Sequence, residues 1–282
     1  MTCAGNGHPE MDGAGRTERM GVGRAGMAAE RDVDDPKGVL VLVPARLASV
    51  RLPGKPLAPI AGVPMIVQVW RRAIEAEAGD VVVACAEEEI AQAVRAAGGR
   101  AVLTDPALAS GTDRIFAALQ EVDPERRYQR IVNLQGDMPT LDPAALHQSL
   151  EPLDALGADI ATLVNETDDP ADIANPNVVK AVVAWRTPRL GRALYFTRAS
   201  APGGAGPVWH HIGLYAFRRE ALDRFAALQP SPLERREKLE QLRALEADMT
   251  IGVRLVDAVP FGVDTPADLE RARAVLERRP AP

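Results

Sequence analysis

Three cations crowd one short stretch of this chain, 44–57 (PARLASVRLPGKPL): Arg46, Arg51 and Lys55. Arginine grips phosphate oxygens with paired donors, and lysine offers a compact charge. Pro44, Pro53 and Pro56 stiffen the segment, while Gly54 permits a left-handed backbone. Read alone, such a loop is equally a solvated basic surface. Its placement directly after the apolar run 39–43 (VLVLV) favours a phosphate site, because open α/β sheets bind ligands at the carboxyl ends of their strands. Two carboxylates stand at comparable junctions. Asp137 follows an apolar strand through Gln135 and Gly136, and Asp264 precedes Thr265–Pro266. Together they can supply the one or two carboxylates that Mg2+ commonly takes, with phosphate oxygens and water completing its shell. Each also has a plainer reading, Asp137 as a turn residue and Asp264 as a helix N-cap. No GxSxG segment and no Cys/His pair offers a protein nucleophile, and no CxxC or Cys/His cluster suggests zinc.

The elements that must position these groups alternate. Buried strands are expected at 39–43, 81–85, 101–103, 130–134 and 160–164, with helices at 64–77, 87–97, 111–120 and 143–150. This alternation predicts an α/β fold with a mostly parallel, Rossmann-like sheet flanked by helices. Further on, 178–185, 193–196 and 212–217 read as strands without long helices between them, so antiparallel pairing is expected there. Helices at 234–246 and 266–278 enclose a last strand at 251–256. The organisation predicted is a single domain over 38–282 with an embedded mixed subdomain near 176–232. Residues 1–37, rich in Gly, Ala, Arg and Asp, read as a disordered tail in which Met20 and Met27 are alternative starts.

Composition narrows the classes. The chain has 282 residues, a net charge of -6 and no long basic run, which argues against polymeric nucleic acid as a partner. No apolar run approaches the roughly 20 residues that span a bilayer, and no signal-peptide core is present, so no membrane association and a cytoplasmic location are expected. Cys3 and Cys85 do not form a disulfide framework. Gly21-Val-Gly-Arg-Ala-Gly26 matches the GxGxxG pattern of an NAD-dependent dehydrogenase, but it precedes the first strand and therefore lacks the context that gives the pattern meaning. Gly54–Lys55 is not a Walker A motif, since Ser49 and Pro56 occupy its first glycine and its hydroxyl position.

The segment 44–57 resembles the signature of the sugar-nucleotide nucleotidyltransferases, and most specifically the 3-deoxy-manno-octulosonate cytidylyltransferase (CMP-Kdo synthetase) family. Further matching segments follow in order: Ser110-Gly-Thr-Asp-Arg114, Asn133-Leu-Gln-Gly-Asp137, Asn175-Pro-Asn, Ala193-Leu-Tyr-Phe-Thr-Arg198, His211-Ile-Gly-Leu-Tyr215, Leu239-Glu-Gln-Leu-Arg243 and Gly262-Val-Asp-Thr-Pro266. The resemblance runs from about Val39 to Leu276. It implies a nucleotide-diphospho-sugar transferase fold, CTP and Kdo as substrates, Mg2+ as cofactor and a homodimer. It assigns Pro44, Ala45, Arg46, Lys55, Ser110, Gly111, Arg114 and Gln135 to the nucleotide, and Asp137 and Asp264 to the metal. Arg46, Arg51 and Lys55 join those carboxylates as the catalytic set. Arg198 would meet the sugar carboxylate, with His211, Tyr215, Glu240 and Gln241 at its hydroxyls. Backbone groups near 84–86 and 110–111 are expected to read the base. The sequence departs from the family pattern at Ala86, at Met138 and in a short stretch at 199–209. A cytidylyltransferase for amino-substituted Kdo or sialic acid is the alternative within this fold.

Overall fold

The computed structural model describes residues 38–49, 52–258 and 260–278. The tail with its GxGxxG segment, and Arg51, lie outside the described residues. The chain enters through β1 (Val39–Ala45), makes a 3-10 turn at Lys55–Leu57, and forms the short hairpin β2 (Pro59–Ile60) and β3 (Val63–Pro64) before α1 (Met65–Glu75). Then come β4 (Asp80–Cys85), α2 (Glu88–Ala96), β5 (Arg100–Leu103), α3 (Gly111–Val122), β6 (Arg130–Asn133), α4 (Ala144–Ala155) and β7 (Ile160–Thr167). The second half holds α5 (Pro170–Ala174), β8 (Lys180–Trp185), β9 (Leu190–Thr197), β10 (Val208–Arg218), α6 (Arg219–Ala227), α7 (Pro232–Glu237), α8 (Leu242–Glu246), β11 (Ile251–Leu255) and α9 (Pro266–Glu277).

Among the described residues all strands except the β2–β3 hairpin join one sheet, in the order β5-β4-β1-β6-β10-β7-β11-β9-β8. The expectation of a mostly parallel sheet needs correction: the sheet is mixed. β5-β4-β1-β6 and β7-β11 are parallel, whereas β10 runs antiparallel to both β6 and β7, and β9 antiparallel to β8 and β11. For β8 and β9 the reason is connection length. Parallel neighbours need a crossover of a dozen or more residues, and the link at 186–189 between β8 and β9 can only turn back. β10 also pairs with β8 through Trp209 and His210, so β10, β7, β11, β9 and β8 close into a ring.

The alternation within β1 explains its unbroken apolar run. Val39, Val41 and Val43 enter the core shared with α1, α2 and α4, while Leu40 and Leu42 enter the core shared with α3 and α6. A strand covered on both faces has no polar side to show. A third, small cluster beneath the hairpin joins Ile60 and Met65 to Val263 and Leu269, and so docks the chain around Asp264 beside the loop that follows β1.

The helix expected at 234–246 is broken. Lys238 adopts a left-handed conformation (φ 58°) and separates α7 from α8. Helix α6 is an addition to the expected elements; it buries Leu222 and Phe225 on one face.

Candidate active site

A cavity of about 450 Å³ opens at the carboxyl ends of β1 and β6. Pro44, Ala45 and Arg46 reach it from the end of β1, Lys55 from the 3-10 turn, Ser110, Gly111 and Arg114 from the start of α3, and Gln135 and Asp137 from the loop after β6. The eight residues that the resemblance assigns to the nucleotide thus line one cavity, whereas 84–86, expected at the base, do not. Two glycines shape it. Gly54 takes the left-handed conformation (φ 68°) that turns the chain into Lys55. A Cβ on Gly136 would lie 2.6 Å from the Pro44 carbonyl oxygen, so only glycine lets the β6 loop pass β1.

Lys55 Nζ donates to Asp137 Oδ2 at 2.8 Å and to Asp264 Oδ1 at 3.0 Å. The Val263 amide donates to the Asp137 carbonyl at 2.9 Å, tying together two loops that are distant in sequence. Burial lowers the Lys55 pKa, but the two carboxylates outweigh it and hold the ammonium above its ordinary value. The N-cap reading of Asp264 is displaced. Thr265 caps α9, its hydroxyl accepting from the Asp268 amide in a reciprocal capping box. Asp264 is therefore available for Lys55.

The pair fits a hard divalent cation. Asp137 and Asp264 converge on one positive centre, the Lys55 ammonium, which stands in for a metal's charge. Among the described residues no third His, Cys, Asp or Glu joins them. That donor set suits Mg2+, which takes few carboxylates and completes its shell with phosphate and water.

Arg114 is nearly fully buried, with Nη1 donating to Thr104 Oγ1 at 2.5 Å and to the Asp105 carbonyl at 3.3 Å. Among the described residues its Nη2 is buried without a hydrogen-bond partner. Burial and then the like charge of Arg46 lower its pKa. Two guanidinium groups and an ammonium around one cavity make a receptacle for anions.

The residues expected at the acidic sugar lie farther along the second half. Tyr215, Glu240 and Gln241 line a second, small cavity of about 10 Å³ together with Thr112. Breaking the helix at Lys238 is what turns Glu240 and Gln241 inward. Gln241 becomes 7% exposed, with its Nε2 buried and unpartnered. His211 packs edge-on against Phe196 and lies 5.4 Å from the Tyr215 ring, centre to centre. Burial, aided by His210, pushes its pKa down to about 3, so its imidazole is neutral near pH 7. Burial and then Glu240 raise the Tyr215 phenol well above its usual value, keeping it protonated.

Arg198 is held tightly. Its Nε donates to the Glu237 carbonyl at 2.9 Å, Nη1 to Pro176 at 3.0 Å and Nη2 to Lys238 at 3.3 Å, all backbone oxygens. These bonds leave one N–H on each terminal nitrogen for a ligand.

Backbone groups near 84–86 are largely engaged: the Ala86 amide donates to the Ala45 carbonyl, and the Cys85 carbonyl accepts from Thr104. Sequence reasoning passed over Ala48, Ser49, Pro56 and Gly136 in the large cavity and Thr112 in the small one. Gly136 and Thr112 stood inside the quoted segments. Their local signal is a small residue beside Asp137 and a β-branched hydroxyl beside Gly111.

Comparison with known proteins shows the family. A family model described as cytidylyltransferase matches residues 40–251. A 3-deoxy-manno-octulosonate cytidylyltransferase of Parvibaculum lavamentivorans is 66% identical over 240 residues, covering 85% of this chain and 93% of the relative. One from Rhodospirillum centenum is 62% identical, covering 86% and 95%. Among solved structures, a CMP:2-keto-3-deoxy-manno-octonic acid synthetase complexed with CTP superposes with a TM-score of 0.79 at 37% identity, covering 86% of this chain and 99% of that one. The chain belongs to the cytidylyltransferase family and, within it, to the 3-deoxy-manno-octulosonate cytidylyltransferases.

Proposed function

We propose that the protein transfers CMP from CTP to 3-deoxy-D-manno-octulosonate, forming CMP-Kdo and pyrophosphate. The observation that carries this reading is the convergence of Lys55, Asp137 and Asp264 beside the nucleotide-sized cavity. The parallel order β5-β4-β1-β6 supports a Rossmann-like reading of that half, with the cavity at the ligand edge. The anomeric hydroxyl oxygen attacks the α-phosphorus, the bond from that phosphorus to the bridging oxygen breaks, and pyrophosphate departs with its electrons. No protein nucleophile takes part. Arg46, Lys55 and Arg114 gather the triphosphate and offset charge growing on the leaving group, and Arg51 is assigned the same work. Asp137 and Asp264 would hold Mg2+, which would supply Lewis acidity toward the α-phosphate and the attacking hydroxyl. Arg198 uses its remaining donors on the sugar carboxylate, while neutral His211, protonated Tyr215, Glu240 and Gln241 orient the hydroxyls. The reading extends to a cytoplasmic homodimer that activates Kdo for lipopolysaccharide synthesis.

Pyrophosphate release tests the reading. With Mg2+ and Kdo, CTP supports turnover at least tenfold above ATP, GTP or UTP. With CTP, Kdo outperforms sialic acid and amino-substituted Kdo. Equal rates with all nucleotides, or preference for another acid, would overturn it.

A further inference from the structure

Thr112 has no assigned role, yet it joins the two cavities. It follows Ser110 and Gly111 of the nucleotide wall and is 5% exposed. Its Oγ1 donates to Glu240 Oε2 at 2.7 Å, across 128 positions of sequence. Among the described residues this is the hydrogen bond that Glu240's carboxylate receives. Arg243 stands 3.8 Å from Glu240 Oε1, but its close bonds, at 2.8 and 2.6 Å, go to Glu234. Among the described residues Glu240 Oε1 is buried without a hydrogen-bond partner, and so is Gln241 Nε2. One carboxylate oxygen is thus fixed by a hydroxyl from the nucleotide side, and the other, facing Arg243 at 3.8 Å, makes no close hydrogen bond among the described residues.

We propose that Thr112 is a positioning residue that couples the nucleotide cavity to the acceptor-sugar residues by setting the orientation of Glu240. The inference rests on the acceptor role given to Glu240 above. The physical basis is local. Ser110, Gly111 and Thr112 share the first turn of α3, and the Ser110–Asp113 capping box holds that turn as one piece. Any displacement of Ser110 and Gly111 by nucleotide is passed to the Thr112 hydroxyl and from there to Glu240. A hydrogen bond to a charged, largely buried group is strong enough to select one carboxylate orientation.

The test uses the full chain with CTP, Mg2+ and Kdo. Thr112→Val keeps the branched shape and removes the donor; Thr112→Ser keeps the donor. Thr112→Val is expected to raise KM for Kdo about tenfold, in line with a charged hydrogen bond, while KM for CTP stays within twofold. Thr112→Ser restores KM for Kdo to within twofold of the wild type. On a Glu240→Ala background, Thr112→Val adds less than a twofold change. A structural role alone would raise both KM values together and lower the melting midpoint, and that result overturns the proposal. So does an unchanged KM for Kdo in Thr112→Val, or a Thr112→Val effect that persists without Glu240. If the wild type releases no pyrophosphate from CTP and Kdo, the functional reading falls first and this inference with it.

Discussion

Lys55 Nζ sits within hydrogen-bond distance of both Asp137 and Asp264, and this small fact sets the residue-scale expectations. Asp264→Asn preserves shape and an oxygen for Lys55 but removes a charge that a hard cation needs. Turnover at saturating Mg2+ is expected to fall at least about a hundredfold, with circular dichroism and the melting midpoint near wild type. Turnover close to wild type would remove Asp264 from the metal site. His211 gives a second expectation. Its folded pKa of about 3 lies below the ordinary 6.5, so the unfolded chain binds its proton first as pH falls. The stability tied to neutral His211 is fully present above pH 6.5 and is lost progressively from there down to about pH 3. His211→Phe, packed against Phe196 and Tyr215, removes that contribution. Melting midpoints measured from pH 7.5 to 4.5 should fall less steeply for the variant; parallel curves would show that His211 titrates normally.

At the scale of elements, two breaks in regular structure put side chains where chemistry needs them. Gly136 lets the loop after β6 run under Pro44, which brings Asp137 to the cavity. Gly136→Ala forces a Cβ against backbone at 2.6 Å, where neither partner can rotate away. The expected cost is about 1–3 kcal/mol, read from the urea midpoint, together with loss of turnover as Asp137 shifts. An unchanged midpoint would show that the loop has slack. The second break, at Lys238, is held from outside the helix. Glu237 accepts bonds from Tyr195, Thr197 and the Arg198 amide, while Arg198 donates to the carbonyls of Glu237 and Lys238. Burial raises the Glu237 pKa, but those hydrogen bonds outweigh it and hold the carboxyl below its usual value. The end of β9 thus stops α7 and presents Glu240 and Gln241.

At the scale of the molecule, the sheet carries a parallel half that builds the nucleotide cavity and a ring of five strands that builds the second half. Both depend on the double-sided core around β1 and β4. Leu40 is fully buried at the start of β1, away from the strand's carboxyl end. Leu40→Ala should cost about 2–5 kcal/mol in urea unfolding while leaving KM for CTP and Kdo unchanged. A loss below about 1 kcal/mol would mean that this layer refills the space.

The sequence alone determined the apolar runs of the parallel half, the helices between them, the loop cations and the two carboxylates. Each of these is a local signal: a period, a cap, or a cation after a strand. The segments shared with the family added the acceptor residues. Tertiary structure decided the rest. Local pattern read 234–246 as one amphipathic helix, because the charges of ERREKLEQLRALE suit a solvated face; only the contacts from β9 break it. Local pattern also left Asp264 as a cap, until Thr265 took that place. The closure of β8 onto β10 and the bond from Thr112 to Glu240 join residues far apart in the chain. Such pairings depend on which strands meet across the sheet, and no window of sequence contains both partners.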